Sequence, residues 1–415
     1  MKILIKNIKQ LVQTEDIPKE KVIGKDMKSI SCIANAWLAI EDDKIAGFGK
    51  MEDWEGISDW TNLTIIDATN KIVMPCFCDS HTHIVYAGSR EGEFVDRING
   101  LTYEQIFERG GGILNSSKKL QNASEEELVE SALKRLHEIA MQGTGAVEIK
   151  SGYGLCVEAE LKMLRVIKKL KTLSPLTIKA TFLGAHAIPK EFQEARRKYI
   201  DLLINEMMPK IAEEKLADFC DVFCEQNYFT KEETIEILGH AKKHGMIPKV
   251  HAEQLSNYGG VLAGVEAGAI SVDHLEYVGD KEIEALKNSK TMPTILPGAA
   301  FFLGLPLPPA RKIIEAGLPL AVASDYNPGS SPSGNMNLML SLCCIQYKMT
   351  PEEAINAATI NSAYAMGLSK THGSIAIGKQ ANIFITKEIP NYSFIPYSFG
   401  SNLVETVIIA GKVIA

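Results

Sequence analysis

Pro75-Cys-Phe-Cys-Asp-Ser-His81-Thr-His83-Ile-Val-Tyr-Ala-Gly-Ser-Arg90 is the stretch on which the reading of the fold turns. It follows the apolar run Lys71-Ile72-Val73-Met74, which puts His81 and His83 at the end of a buried strand. Side chains alternate faces along a strand, so residues two apart point the same way. The two imidazoles therefore converge, about 6–7 Å apart along the backbone. That is a metal-ligand spacing, although a lone His-x-His is equally an ordinary strand end. Further candidate ligands, each closing its own apolar run, tip the reading.

Eight such runs occupy the middle of the chain: Ile72–His83, Ala146–Lys150, Ile178–His186, Phe219–Cys224, Pro248–His251, Ser271–Tyr277, Met292–Leu296 and Leu320–Asp325. Longer amphipathic segments separate them, which is the pattern of alternating strands and helices. Ser124–Glu127, Thr230–Glu233 and Thr350–Glu353 each carry a capping box, the last with Pro351 at the first helical position. Behind the first cap Leu128, Ala132, Leu136 and Ile139 share one helical face. Eight strands with intervening helices over roughly 280 residues fit an α/β fold of the (β/α)8 TIM-barrel type. A doubly wound open sheet is the alternative, but it gathers ligands at one switch-point crevice, whereas polar residues close nearly all eight runs. Both ends of the chain have a different texture, short apolar alternations and turns, as in Ala36–Ile40, Lys44–Gly49, Gly373–Thr386 and Val404–Ile414. Residues 1–70 and 366–415 are expected to join in a small β-sandwich beside a barrel over 71–365.

The 415 residues suffice for a large core, and 46% hydrophobic with 23% charged residues is ordinary for a globular protein. A net charge of −7 gives no reason to expect nucleic acid or an anionic membrane as partner. With no long apolar run and no signal-like start, a cytoplasmic protein is expected. The eight cysteines form no repeated Cys-x-x-Cys pairs and read as buried thiols.

The strand ends present His81, His83, Lys150 to Tyr153, His186, Glu225, His251, His274 and Asp325, all expected at the C-terminal face where barrels of this type place their sites. Five of the nine histidines fall there, while His137, His240, His244 and His372 fall in helices or loops and are expected to be exposed. Three imidazoles and a carboxylate around one position suit hydrolytic zinc or iron. Such a metal lowers the pKa of bound water to near 7 and polarises a carbonyl, and Asp325 could both bind it and take the water's proton.

His81-Thr-His83, His251, His274 and Asp325, with strand-rich termini, resemble the amidohydrolase superfamily. Longer stretches resemble its imidazolonepropionase family of histidine degradation: Asp79–His83, Gly88–Arg90, Arg109–Ile113, Lys150–Gly154, Leu183–Ala187, His251–Ser256, Asp273–Leu275 and Ser324–Gly329. The terminal domain matches only in type, with Asn382 where the superfamily usually has Asp. The resemblance implies one metal ion per chain, zinc or iron, on His81, His83, His251 and Asp325. The substrate it implies is a small five-membered lactam bearing a propionate, opened to N-formiminoglutamate by hydroxide on the metal. Arg90, Tyr153 and His186 would hold this substrate, with Gln254, Asn327, Gly329 and Ser330 along the ring. Asp325, His274 and Gln254 form the implied catalytic set, and a homodimer is implied as well. Binuclear members put a bridging Lys or Glu on strand four, where this chain has Cys224-Glu225, and Lys150 stands on strand two, so one metal is expected. Gln254 stands where some members of the family have Glu, and an amide moves no protons. A deaminase of the same superfamily, acting on a neutral ring, and a metal-free scaffold remain as rivals. Arg90 and Tyr153 argue against the first, the histidines against the second.

Overall fold

Two sheets divide the chain, and the change from one to the other takes a single residue. In this computed structural model, which describes residues 2–56, 61–101, 105, 109 and 111–414, the apolar run read as one strand from Ile72 to His83 is two. Lys71–Pro75 belongs to the terminal sheet, and Phe77–Thr82 begins the barrel. Between them the Cys76 amide donates to the Asn382 carbonyl (2.9 Å) and the Phe77 amide to the Gly143 carbonyl (2.9 Å). Apolar periodicity reports burial and not the partner strand, so this switch left no mark in the pattern. Gly110, within the Arg109–Ile113 stretch, lies outside the described residues.

The N-terminal part supplies β1 (Lys2–Val12), β2 (Cys32–Glu41), β3 (Lys44–Lys50), β4 (Leu63–Asp67) and β5 (Lys71–Pro75). The barrel follows with β6 (Phe77–Thr82), β7 (Thr144–Lys150), β8 (Thr177–Ala185), β9 (Phe219–Cys224), β10 (Ile247–Ala252), β11 (Ser271–His274), β12 (Met292–Ile295) and β13 (Ala321–Val322). The chain then returns with β14 (Ile383–Glu388), β15 (Val404–Ile409) and β16 (Lys412–Val413). The terminal sheet runs β16-β15-β14-β5-β1-β2-β3, with β4 also on β1, so both ends of the chain build it. Ile45 of β3 and Ile408 of β15, far apart in that order, meet in one core with Ile3, Ile5, Leu38 and Ile383, so the sheet curls back on itself. Such curling lets alternate strand residues of one face share an interior.

The eight barrel strands are parallel and follow in sequence order. Every residue of β6, β7 and β9 is buried, as expected where helices cover the outside. β13 is short because the chain turns away after Val322, yet the ring closes. The Asp325 amide donates to the His81 carbonyl (3.0 Å), the His83 amide to the Tyr326 carbonyl (2.9 Å), and the Ser324 amide and hydroxyl donate to Asp79 (2.9 and 2.5 Å). All three capping boxes form, at Ser124, Thr230 and Thr350. Leu128, Ala132, Leu136 and Ile139 are the buried face of helix Glu125–Ala140. All eight cysteines are free, and among the described residues no helix is long and apolar enough to cross a membrane.

His372 corrects an expectation: it is buried, its Nδ1 2.8 Å from the Thr371 hydroxyl and its Nε2 3.0 Å from that of Thr177. Hydroxyl partners, one adjacent in the chain and one on β8, can bury a ring that no apolar pattern flags. Burial, with Lys379 next in weight, lowers its pKa to about 4. The unfolded chain therefore binds a proton that the fold refuses. The stability this neutral ring contributes is complete above the unfolded value near 6.5 and is lost as pH falls toward 4. Urea unfolding at pH 7 and pH 5 should show the native protein losing about 2 kcal/mol more than His372→Gln over that interval. Equal losses would remove His372 from the acid response.

Candidate active site

Five side chains from the ends of β6, β10, β11 and β13 converge at the C-terminal mouth of the barrel. His81, His83 and Asp325 offer ligand atoms within 4.8 Å of one another, and so do His81, His251 and His274, the two groups sharing His81. Asp325 Oδ1 lies 3.6 Å from both His81 Nε2 and His83 Nε2. His274 and Asp325 have φ of +92° and +55°, a conformation that costs a non-glycine residue energy and here turns both side chains inward. The Nε2 atoms of His81 and His251 are buried without a hydrogen-bond partner, an expensive state for lone pairs that a cation would relieve. Burial first, then neighbouring cationic groups, keeps His81 and His83 well below the usual imidazole pKa. Burial also takes His251 down to about 3, against the pull of Asp221. Neutral imidazole is the form that binds metal. Burial raises Asp325 to about 6, a shift that a cation beside it would reverse. The donor set fits one metal ion. His274, expected in the catalytic set and not among the ligands, stands as close to His81 and His251 as a ligand would.

The same mouth opens into a pocket lined by His83, Arg90, Tyr153, His186, His251, Gln254, His274, Asp325, Asn327, Gly329 and Ser330. Thus every residue expected to ligate the metal, bind substrate or take part in catalysis is on its wall except His81, which lies deeper. Their hydrogen bonds differ from a simple ring of substrate contacts. Arg90 gives Nε and Nη2 to Glu93 (2.9 and 2.5 Å), and Glu93 in turn accepts from the Gly112 amide (3.1 Å) and Asn115 (3.2 Å). A Cβ on Gly329 would stand 2.1 Å from Arg90 Nη1, so Gly329 is what lets the guanidinium lie there. Asn327 spends its amide on the loop, accepting from the Gly329 and Ser330 amides (2.7 and 2.8 Å). Ser330 donates to Asp325 Oδ2 (3.0 Å). His186 Nδ1 faces the Gly152 carbonyl (3.0 Å) and its ring stacks on His83, with centroids 5.3 Å apart. Four of the strand-end residues, Lys150, Ser151, Gly152 and Glu225, do not line the pocket. Lys150 points down into the barrel, and Glu225 accepts from the Leu255 and Ser256 amides (2.9 and 3.2 Å). Arg97, missed in the sequence, lines the pocket and donates to the Gly329 carbonyl (3.1 Å). Its spacing of seven from Arg90, two helical turns, was the available signal.

Comparison with known proteins places this architecture. Residues 72–414 match the amidohydrolase family. Imidazolonepropionase of Christiangramia forsetii is 59% identical over 414 residues, spanning 100% of both chains. The chain belongs to the imidazolonepropionase family of amidohydrolases. Imidazolonepropionase of Clostridium tetani is 44% identical over 99% of this chain and 98% of its own. The fold extends further: guanine deaminase of E. coli superposes with a TM-score of 0.73 at 13% identity, covering 100% of this chain and 99% of that one. A zinc-bound adenosine deaminase from Xanthomonas campestris gives 0.71 at 15%, over 99% and 92%.

Beneath the ligands of this amidohydrolase lies a layer of charge that the sequence reading overlooked. Glu148, Lys150, Asp221, Lys249 and Asp273 are all fully buried. Lys150 donates to Glu148 (2.6 Å) and Asp221 (2.8 Å), and Lys249 to Glu148 and the Ser80 carbonyl. Asp273 Oδ2 meets His81 Nδ1 at 2.7 Å, and Asp221 Oδ2 meets His251 Nδ1 at 3.0 Å. Each carboxylate holds the far nitrogen of a ligand ring, fixing its orientation and leaving Nε2 for the mouth. The pairs Glu148/Lys150 and Lys249/His251, two apart on inward faces, were the overlooked signal. Asp221→Asn and Asp273→Asn should each weaken metal binding about 10- to 100-fold in competition with a chelator. Unchanged competition in both would deny the layer this role.

Proposed function

We propose that the protein hydrolyses the cyclic amide of 4-imidazolone-5-propanoate to N-formimino-L-glutamate, a step of histidine breakdown. One observation carries the reading: a metal-ligand cluster and two guanidinium groups, Arg90 and Arg97, face the same buried pocket. Full-length identity of 59% to an imidazolonepropionase supports it. His81, His83, His251 and Asp325 would hold one zinc or iron ion, and Cys224-Glu225 on β9 offers no bridge to a second, since Glu225 is spent on Leu255 and Ser256. When bound, the ion polarises the ring carbonyl and lowers the pKa of water.

The chain's own groups do the rest. Asp325 takes a proton from the attacking water, with Ser330 holding its Oδ2 and leaving Oδ1 toward the histidines. Oxygen adds to the carbonyl carbon, the ring C–N bond breaks, and the departing nitrogen takes up the proton. Gln254, whose amide moves no proton, orients the ring by hydrogen bonding, and His274 assists Asp325. Arg90 meets the propionate through Nη1, the guanidinium nitrogen that Glu93 does not engage. Tyr153 and His186 close the apolar side. A cytoplasmic homodimer is part of this reading on family resemblance, and light scattering tests the oligomer.

The direct test is a substrate panel with metal analysis: turnover of imidazolonepropanoate and not of guanine or cytosine, with one metal per chain. Turnover of a base, or two metals both needed, would replace the reading. Arg90→Ala should raise KM, at a cost of about 2–5 kcal/mol in kcat/KM for a desolvated charge pair, with metal retained. Gln254→Ala should cost about 1–3 kcal/mol, a lost buried hydrogen bond. Asp325→Asn should cost more, since general acid–base catalysis alone contributes roughly 10²–10⁴-fold. Equal losses with metal still bound would mean that Gln254 lies on the proton path.

A further inference from the structure

Glu276 is the least explained charge in the molecule. Its side chain is 0% exposed, and both carboxylate oxygens lack a hydrogen-bond partner. Every other carboxylate of the barrel interior named above has at least one hydrogen-bond partner. Burying a carboxylate without such partners is costly. One polar neighbour is in reach: His274 Nδ1 lies 3.6 Å from Glu276 Oε1, and that nitrogen too has no other partner. His274 itself is held at φ +92°, a second cost at the same strand end. Two unfavourable features that meet at one ring mark a group whose placement matters more than its stability.

We propose that Glu276 is a positioning residue that fixes His274 with its proton on Nδ1, so that Nε2 is presented to the reacting centre. The Glu276 carboxylate, 3.6 Å from Nδ1, is the negative group that the proton on that nitrogen faces, and the ring can neither flip nor exchange its tautomer without losing that attraction. This explains why the chain tolerates Gln at 254. With no proton-carrying group there, the burden moves to Asp325 and His274, and His274 serves only if one nitrogen always faces inward. The inference rests on the hydrolytic reading of this pocket, and it adds a residue that makes no contact with substrate.

Glu276→Leu and Glu276→Gln, both as metal-loaded enzyme, test it with readouts of opposite sign. Removing a buried, unpaired charge should leave Glu276→Leu as stable as the parent or more so in thermal unfolding, whereas a structural carboxylate would lower it. Its kcat should fall roughly 10- to 100-fold, the usual loss on removing a group behind an active histidine, with KM and metal content nearly unchanged. Glu276→Gln, whose amide oxygen can still accept from Nδ1–H, should fall between. Nitrogen-15 spectra of histidine-labelled enzyme, with the His274 signal assigned through His274→Gln, should show protonated Nδ1 in the parent and a shift toward the other tautomer in Glu276→Leu. This spectrum needs no substrate, so a failed substrate panel with a shifted tautomer removes the substrate and keeps Glu276. An unshifted tautomer, or a Glu276→Leu variant that loses stability and metal together, overturns the proposal.

Discussion

Two ammonium groups and three carboxylates, sealed in the barrel under its mouth, set the terms for everything above them. Lys150 and Lys249 are completely buried, and neither could remain charged alone at that depth. Asp221, Glu148 and Asp273 outweigh the cost of burying Lys150 and hold it above its ordinary pKa. The exchange is mutual: burial would raise Asp221, but His251 and Lys150 pull it well below the usual carboxylate range. Such a layer adds little net stability, since charges taken from water are repaid only by good geometry. What it gives is direction. Asp273 holds the far nitrogen of His81 and Asp221 stands 3.0 Å from that of His251, while their near nitrogens are left with nothing but the mouth.

The backbone carries a share of the same constraint. Glu253, His274, Leu275 and Asp325, all at or just past strand ends, adopt positive φ without being glycine. Glu253 shows how one such turn is held, its carboxylate accepting from the Gly259 and Val261 amides (3.0 and 2.9 Å) at the start of helix Gly260–Ala267. Asp325 is fixed by its own amide on the His81 carbonyl and by Ser330 on its carboxylate. The hydrogen bonds that close the barrel between β6 and β13 are thus the ones that set Asp325 against His81 and His83. Fold closure and ligand geometry are one event, which is why β13 can be two residues long.

How much of this could be read from residues alone follows from what sequence patterns encode. Burial and strand ends were legible, because apolar runs closed by His81, His251, His274 and Asp325 report a buried strand and its exit. Helix starts at Ser124, Thr230 and Thr350 were legible for the same local reason. Partner changes were not: nothing in Pro75-Cys76-Phe77 says that the chain leaves one sheet for another. Charges facing inward were missed because Lys150 and Lys249 have the composition of surface, and only their neighbours two residues away reveal the face. His372 was missed because two threonine hydroxyls, one of them distant in sequence, satisfy it. Glu276 was missed because the odd thing about it is what it lacks.

The rim of the pocket turns these placements into selectivity. Among the described residues of the rim, Arg90 and Arg97 bring two positive charges and Glu93 one negative, which leaves a single unmatched charge facing a partly desolvated space. Desolvation, with Arg90 next, lowers the pKa of Arg97, a measure of how poorly that charge is served by water and by Glu93. A ligand carrying one carboxylate completes the set, whereas a neutral base must bury the excess uncompensated. The same barrel underlies the guanine and adenosine deaminases of similar fold, and it constrains substrate hardly at all. The constraint comes from Glu93. By engaging Nε and Nη2 of Arg90 it leaves Nη1 to offer, and under the function proposed above a pocket that offers that nitrogen beside the metal-ligand cluster would favour a carboxylate on a short tether from a ring.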